Sequence, residues 1–118
     1  KVGAYEDEYN QIVIDVKRTT PTEVFKLQKV KNMLTRVLFI WQYKHPASGY
    51  VQGINDLAAI LMYVFILEQA SENDSLIEEL TDESVAQLSE NQILIIESDT
   101  LGCLNNLTES IQTNYTDG

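Results

Sequence analysis

The segment LQKVKNMLTRVLFIW, residues 27–41, carries the helical pattern that decides the class of this fold. Its apolar residues follow the i, i+3, i+4, i+7 spacing of an amphipathic helix: Leu27, Val30, Leu34, Val37, Leu38 and Trp41. Basic residues occupy the opposite face: Lys26, Lys29, Lys31 and Arg36. We predict one helix that is capped by Thr20 or Thr22, reaches about Tyr43 and ends before the loop 45–49.

Two further helices are predicted downstream of this one. The first begins within Tyr50–Asn55 and runs to Glu68, and it is apolar nearly all round, which predicts a centrally buried helix. The second runs from Asn91 to about Tyr115, with an apolar face made of Ile93, Ile96, Thr100, Cys103, Leu104, Leu107 and Ile111. Between them, short helical fragments are expected at Leu76–Leu80 and Ser84–Leu88, in an acidic and polar stretch.

The N-terminal region gives a different local signal. Lys1–Asn10 is polar without periodicity and predicts a loop, whereas Gln11–Val16 is β-branched and alternates in part, which predicts a short extended segment. Pro21 biases Thr20 away from helix and marks a boundary. The whole pattern predicts an all-α, multi-helical array.

Composition and charge narrow the possible functions. The chain has 118 residues, 44% of them hydrophobic, which suits one globular domain. All eight Lys and Arg lie in residues 1–44, whereas residues 45–118 carry 13 acidic residues and no Lys or Arg. Such an acidic chain disfavours nucleic acid and anionic membranes, which bind clustered Lys and Arg.

Cysteine usage and hydropathy bear on location. The single cysteine, Cys103, cannot form an internal disulfide, and the longest apolar run, Leu57–Leu67, is too short to span a bilayer. We therefore predict a cytoplasmic protein without a transmembrane segment.

Two short motifs carry the functional signal: Ile12-x-x-Asp15-x-x-Arg18, and Tyr50-Val51-Gln52-Gly53-Ile54-Asn55-Asp56-Leu57. Gln can position an attacking water and Arg can neutralise charge that develops during phosphoryl transfer. Because neither residue is a nucleophile or a redox centre, the pair indicates assistance to a partner's reaction.

Each motif residue has an alternative structural interpretation. An arginine in a protein is more often a surface or salt-bridging residue, and this is the structural interpretation of Arg18. Asp15 could hold the Arg18 guanidinium in a fixed fork under either interpretation. Gln52 could be a helix-capping residue, with Gly53 serving the loop geometry. Tyr50 offers an amphipathic contact to a partner.

Asn55 and Asp56 could satisfy the amides of the first helical turn or brace the loop around Arg18. Other chemistry-bearing side chains favour structural roles: His45 lacks metal or triad partners, while Cys103 and Trp41 fit apolar helix faces. No residue set has the spacing of a self-contained acid/base hydrolase.

Together the motifs resemble those of TBC-domain Rab GTPase-activating proteins, whose signatures are I-x-x-D-x-x-R and Y-x-Q-G. The segment 45–49, HPASG, is similar to the subclass of yeast Golgi-acting Rab/Ypt activators. The resemblance implies an all-α domain that acts in trans on a GTP-bound Rab. It implies an arginine finger at Arg18 and a glutamine finger at Gln52, supported by Asp15, Tyr50 and Gly53.

The same resemblance sets further expectations. Residues 1–118 would form one partial domain, its N-terminal, arginine-finger part, since the upstream R-x-x-x-W motif and the C-terminal half are not in this chain. GTP and magnesium would belong to the Rab, so no cofactor or metal of its own is expected. The implied setting is vesicle trafficking, peripheral at the Golgi or other endomembranes. The alternative function is a non-catalytic Rab-binding or scaffolding module of the same fold.

Overall fold

The computed structural model describes the backbone of residues 2–46 and 53–117, and the side chains of residues 6–46 and 53–110. Its elements are α1 (Val2–Arg18), a 3-10 helical turn (Glu23–Lys26), α2 (Gln28–Lys44), α3 (Ile54–Asn73), α4 (Asp82–Ala86) and α5 (Glu90–Asp117). Within these ranges there is no β-strand. The predicted all-α class is confirmed.

The N-terminal region differs from the prediction, because the expected loop and extended segment form the single helix α1. Burial shows why. Ile12 and Val16 are buried and Ile14 is 45% exposed, which is the pattern of one helical face rather than of an alternating strand. Packing of that face against α2 and α3 overrides the weak β preference of this stretch.

The region after Pro21 also differs, since no continuous helix runs from Thr22 to Tyr43. Thr22 precedes the 3-10 turn without a side-chain capping bond, and Leu27 is extended before α2 begins at Gln28. If α2 continued back through Val24 and Phe25, both side chains would lie off its buried face. The break at Leu27 allows both to enter the core.

Helix α2 is the centre of the fold, because it contacts α1, α3, α5 and the 3-10 turn. Its buried face agrees with the predicted periodicity, and Trp41 is a core residue as expected. The largest side chains of this core are Trp41, Phe25, Ile12, Met33, Leu34, Leu38, Met62, Ile66, Ile96 and Leu104.

Helix α3 is less buried than its composition predicted. One face packs on α2 and α5 through Ala58, Ala59, Met62, Ile66 and Ala70, whereas Ile60 and Val64 are 59% and 57% exposed. By length and composition alone α3 could cross a membrane, but the core helix of a globular protein passes the same test. In this fold α3 is a core helix with one apolar face left open.

The acidic connection after α3 contains less helix than predicted. Leu76–Leu80 is not helical, and α4 (Asp82–Ala86) lies slightly before the expected fragment. Thr81 and Ser84 form a reciprocal capping box there, which fixes the start of α4. Helix α5 extends the predicted third helix to Glu90–Asp117, with Ile96, Thr100 and Leu104 buried.

Candidate interface for phosphoryl transfer in trans

Arg18 is the last residue of α1 and is exposed. The helix ends here because Pro21 disfavours helical backbone at Thr20. Thr19 closes the last turn: its N–H donates to Val16 O at 3.1 Å and its hydroxyl donates to Asp15 O at 2.5 Å. Two hydrogen bonds therefore tie Thr19, which follows Arg18, to residues that precede Arg18 in α1.

Lys31 reaches the same helix end from α2. Its ammonium lies 3.5 Å from Val16 O and 3.4 Å from Lys17 O, where a cation is favoured by the helix dipole. Partial burial, and secondarily the charge of Lys17, lower the pKa of Lys31 from its ordinary value. These long contacts supplement the two short bonds of Thr19.

Asp15 does not hold Arg18, contrary to the fork that the sequence suggested. Asp15 Oδ1 accepts a hydrogen bond from Gln11 Nε2 at 3.0 Å, one turn earlier in α1. Asp15 Oδ2 is buried and has no hydrogen-bond partner among the described residues. Arg18 likewise has no ion pair within residues 6–46 and 53–110.

The described backbone resumes within the second motif, at Gly53. Gly53 has φ 98° and precedes α3 as its N-terminal flanking residue, and this left-handed conformation favours glycine. Gly53 O accepts from the N–H groups of Asp56 and Leu57 at 3.1 and 3.3 Å. Asp56 is exposed in the first turn of α3, which has no side-chain capping bond. Tyr50 and Gln52 lie outside the described residues.

Asn55 connects the second motif to the first. Its Nδ2 donates to Thr19 Oγ1 at 2.7 Å, across 36 residues of sequence. We call the set Asp15, Arg18, Thr19, Gly53 and Asn55 the α1–α3 junction. The structure thus brings Asn55 beside Arg18's neighbour, where sequence reasoning offered either helix capping or bracing.

Sequence reasoning missed Thr19 as a member of this site. The signal available for it was a hydroxyl residue directly after the last residue of a helix, positioned to donate to the carbonyl four residues earlier. That signal was hidden because residues 11–16 were interpreted as extended. Gln11, the partner of Asp15, was missed for the same reason.

His45 has the structural role that was predicted for it. Its Nδ1 lies 2.8 Å from Trp41 O, and its ring stacks on Trp41 with centroids 4.5 Å apart. Glu109 lies 4.0 Å from His45 Nε2. Among the described residues no three His, Cys, Asp or Glu side chains are grouped as metal ligands would be.

Among the described residues, the junction carries one exposed guanidinium, that of Arg18, at the end of α1. An exposed guanidinium can stabilise negative charge on a bound partner.

Comparison with known proteins identifies the family of this chain. The protein-family model of the Rab-GTPase-TBC domain matches residues 2–118 of this chain. The chain is 41% identical over 113 residues to human "TBC1 domain family member 22B", covering 95% of this chain and 21% of that protein. It is 40% identical over 111 residues to the Saccharomyces cerevisiae "GTPase-activating protein GYP1", covering 93% of this chain and 17% of that protein.

A solved structure shares the fold. The crystal structure of the Ypt/Rab-GAP domain of Gyp1p aligns with a TM-score of 0.76 and 36% identity, covering 93% of this chain and 34% of that one. The chain thus spans about a fifth of the length of its curated relatives. With two motifs, an all-α fold and a family match along nearly its whole length, this chain belongs to the Rab-GTPase-TBC domain family.

Proposed function

We propose that this domain stimulates GTP hydrolysis by a Rab-family GTPase in trans, through an arginine finger at Arg18 and a glutamine finger at Gln52. The observation that carries the proposal is the state of Arg18: exposed, without an ion pair in the described part of the chain, and mounted on a hydrogen-bonded helix end. A relative that is named as a GTPase-activating protein supports it.

The two side chains would have separate roles in the reaction. Arg18 would neutralise charge that builds on the transferred phosphoryl group, and Gln52 would orient the attacking water. GTP and Mg²⁺ would come with the Rab in its GTP form, so the domain would supply no cofactor. A cytoplasmic protein at the Golgi or another endomembrane would meet such a partner, and this location is part of the proposal.

Asp56 and Tyr50 would contribute contacts to the partner rather than chemistry. Asp56 is exposed in the first turn of α3, three residues after the glycine that follows the glutamine. Asp15 would act from inside α1, because its carboxylate is tied to Gln11 rather than to Arg18.

Single-turnover hydrolysis across a panel of purified GTP-loaded Rabs tests the proposal, with the full-length protein as activator. On the Rab that responds best, Arg18→Ala should lower the stimulated rate by about 10³- to 10⁵-fold, because an arginine finger contributes that much. Gln52→Ala should lower it by orders of magnitude as well. Arg36→Ala is the matched control, since that exposed arginine belongs to an ion pair with Glu97.

Two results would count against catalysis. Retained stimulation in both Arg18→Ala and Gln52→Ala would remove the finger mechanism. Binding of GTP-loaded Rab without any acceleration by the unaltered protein would favour the non-catalytic, scaffolding function instead.

A further inference from the structure

A short hydrogen-bond relay joins the end of α1 to the first turn of α3. Asn55 Nδ2 donates to Thr19 Oγ1 at 2.7 Å, and Thr19 Oγ1 donates to Asp15 O at 2.5 Å. Thr19 is only 3% exposed. Among the described residues, this is the one side-chain hydrogen bond that connects residues 6–20 with α3.

The direction of each bond in the relay is determined. A hydroxyl has one proton, and Asp15 O can only accept it. The lone pairs of Thr19 Oγ1 are then left for Asn55, which must present its amide N–H rather than its carbonyl oxygen. The relay therefore specifies both the threonine rotamer and the orientation of the asparagine amide.

The relay joins two residues that are close in sequence to the two fingers of the proposed mechanism. Thr19 follows Arg18 directly, and Asn55 is three residues after Gln52. Gly53, between Gln52 and Asn55, has a turn geometry but no side chain to hold it, and a Cβ built on it meets nothing within 4 Å. The contact across the junction is made instead by the side chain of Asn55.

We propose that Thr19 and Asn55 are positioning residues that set the separation and orientation of the Arg18 and Gln52 segments. This inference rests on the proposed function, since it assigns a role in that same reaction. Neither residue touches the reacting atoms; each acts through the backbone of a finger. A displacement of about 1 Å away from the chemistry can lower a rate by roughly 10²-fold, so one partly buried bond at this point has a large effect on the rate.

The test uses variants that separate the hydroxyl from the volume of the side chain. Thr19→Val keeps the shape and removes both relay bonds, whereas Thr19→Ser keeps the hydroxyl. Thr100→Val is the matched control, because Thr100 is fully buried and its hydroxyl donates within its own helix to Ile96 O at 2.7 Å. Each variant is made in the full-length protein, and its helical content is measured by circular dichroism.

The readout is single-turnover hydrolysis by the responding GTP-loaded Rab at increasing activator concentration. Thr19→Val should lower the maximal rate by roughly 10- to 100-fold while leaving the half-saturating concentration near that of the unaltered protein. It should also weaken binding to the same Rab loaded with GDP and aluminium fluoride, a transition-state mimic. Thr19→Ser and Thr100→Val should stay near the unaltered protein in both measurements.

A double-mutant cycle links the two residues. Asn55→Ala should reproduce the loss of maximal rate, and Thr19→Val with Asn55→Ala should lose no more than the worse single variant, because both remove the same connection. Fully additive losses would show that the residues act separately and would overturn the relay.

The outcomes distinguish this inference from the proposed function. If Arg18→Ala abolishes stimulation but Thr19→Val reaches the full maximal rate, the relay is overturned and the fingers stand. If Thr19→Val loses rate only in proportion to lost helical structure, Thr19 is a folding residue and the positioning role is overturned. Retained stimulation in both Arg18→Ala and Gln52→Ala would overturn both.

Discussion

Two regions of this molecule carry an exposed arginine on a helix, and they treat it differently. At the α1–α3 junction, Arg18 has no ion pair among the described residues. At the interface of α2 and α5, Arg36 donates to both carboxylate oxygens of Glu97, with the shortest distance 2.6 Å. Hydrogen bonding to Glu97 raises the pKa of the Arg36 guanidinium above its ordinary value.

The contacts in these two regions differ as well. The α2–α5 interface buries Ile96, Leu104 and Trp41, and Trp41 Nε1 donates to Thr108 Oγ1 at 3.1 Å. At the α1–α3 junction a polar relay runs through Thr19 and Asn55. Apolar burial stabilises without fixing direction, whereas hydrogen bonds have specific geometry. Apolar burial at the α2–α5 interface therefore contributes stability, whereas under the proposal above the junction contributes placement of Arg18.

The strongest way to break this comparison is to conserve the charge of each arginine and change its shape. Arg18→Lys should lower Rab-stimulated hydrolysis by roughly 10²- to 10³-fold, because a point charge does not reproduce the planar fork. Arg36→Lys should leave the rate unchanged. Single-turnover kinetics measures both, and equal behaviour of the two lysine variants would erase the distinction.

The next largest effect concerns stability at the α2–α5 interface. Trp41→Ala should lower the free energy of unfolding by about 3–5 kcal/mol, because removing the buried indole ring leaves a cavity in the core. Ile60→Ala is the control at an exposed site of α3, where the loss should be below about 1 kcal/mol. Urea unfolding measures both, and a small loss for Trp41→Ala would contradict a core role for this interface.

Alanine substitutions at two glycines, one at the junction and one in α5, should change the stability of the protein in opposite directions. Gly53→Ala should destabilise the protein by about 1–2 kcal/mol, because an L-residue is strained at φ 98°. Gly102→Ala should instead stabilise it by roughly 0.5–1 kcal/mol, since Gly102 lies inside α5. Neither added Cβ meets an atom within 4 Å, so the backbone alone sets the sign. Shifts of equal sign in thermal unfolding would contradict this account.

The smallest effect belongs to the ion pair itself. The coupling between Arg36 and Glu97 should be about 0.2–1 kcal/mol in a double-mutant cycle with Arg36→Ala and Glu97→Gln, because Arg36 is 53% exposed and screened by solvent. Added salt should reduce it further. A coupling of several kcal/mol, insensitive to salt, would show that this pair contributes more to the interface than its exposure predicts.

Much of this site was readable in the sequence because its signals are local. The two motifs placed Arg18, Gly53 and Asn55 on candidate segments, and the periodicity of residues 27–41 gave the central helix. The extent of α1 was not readable, since β-branched residues in 11–16 suggest a strand until one sees which of them are buried. The break at Leu27 is likewise a consequence of burying Val24 and Phe25.

The sequence by itself determined the helical class, the family motifs and the absence of Lys and Arg after residue 44. Only the tertiary structure decided that Asp15 binds Gln11 rather than Arg18, that one face of α3 is open, and that Asn55 donates to Thr19. Helical periodicity is written in neighbouring residues, so it can be read along the chain. A hydrogen bond across 36 residues depends on how three helices pack together, and no local pattern encodes that packing.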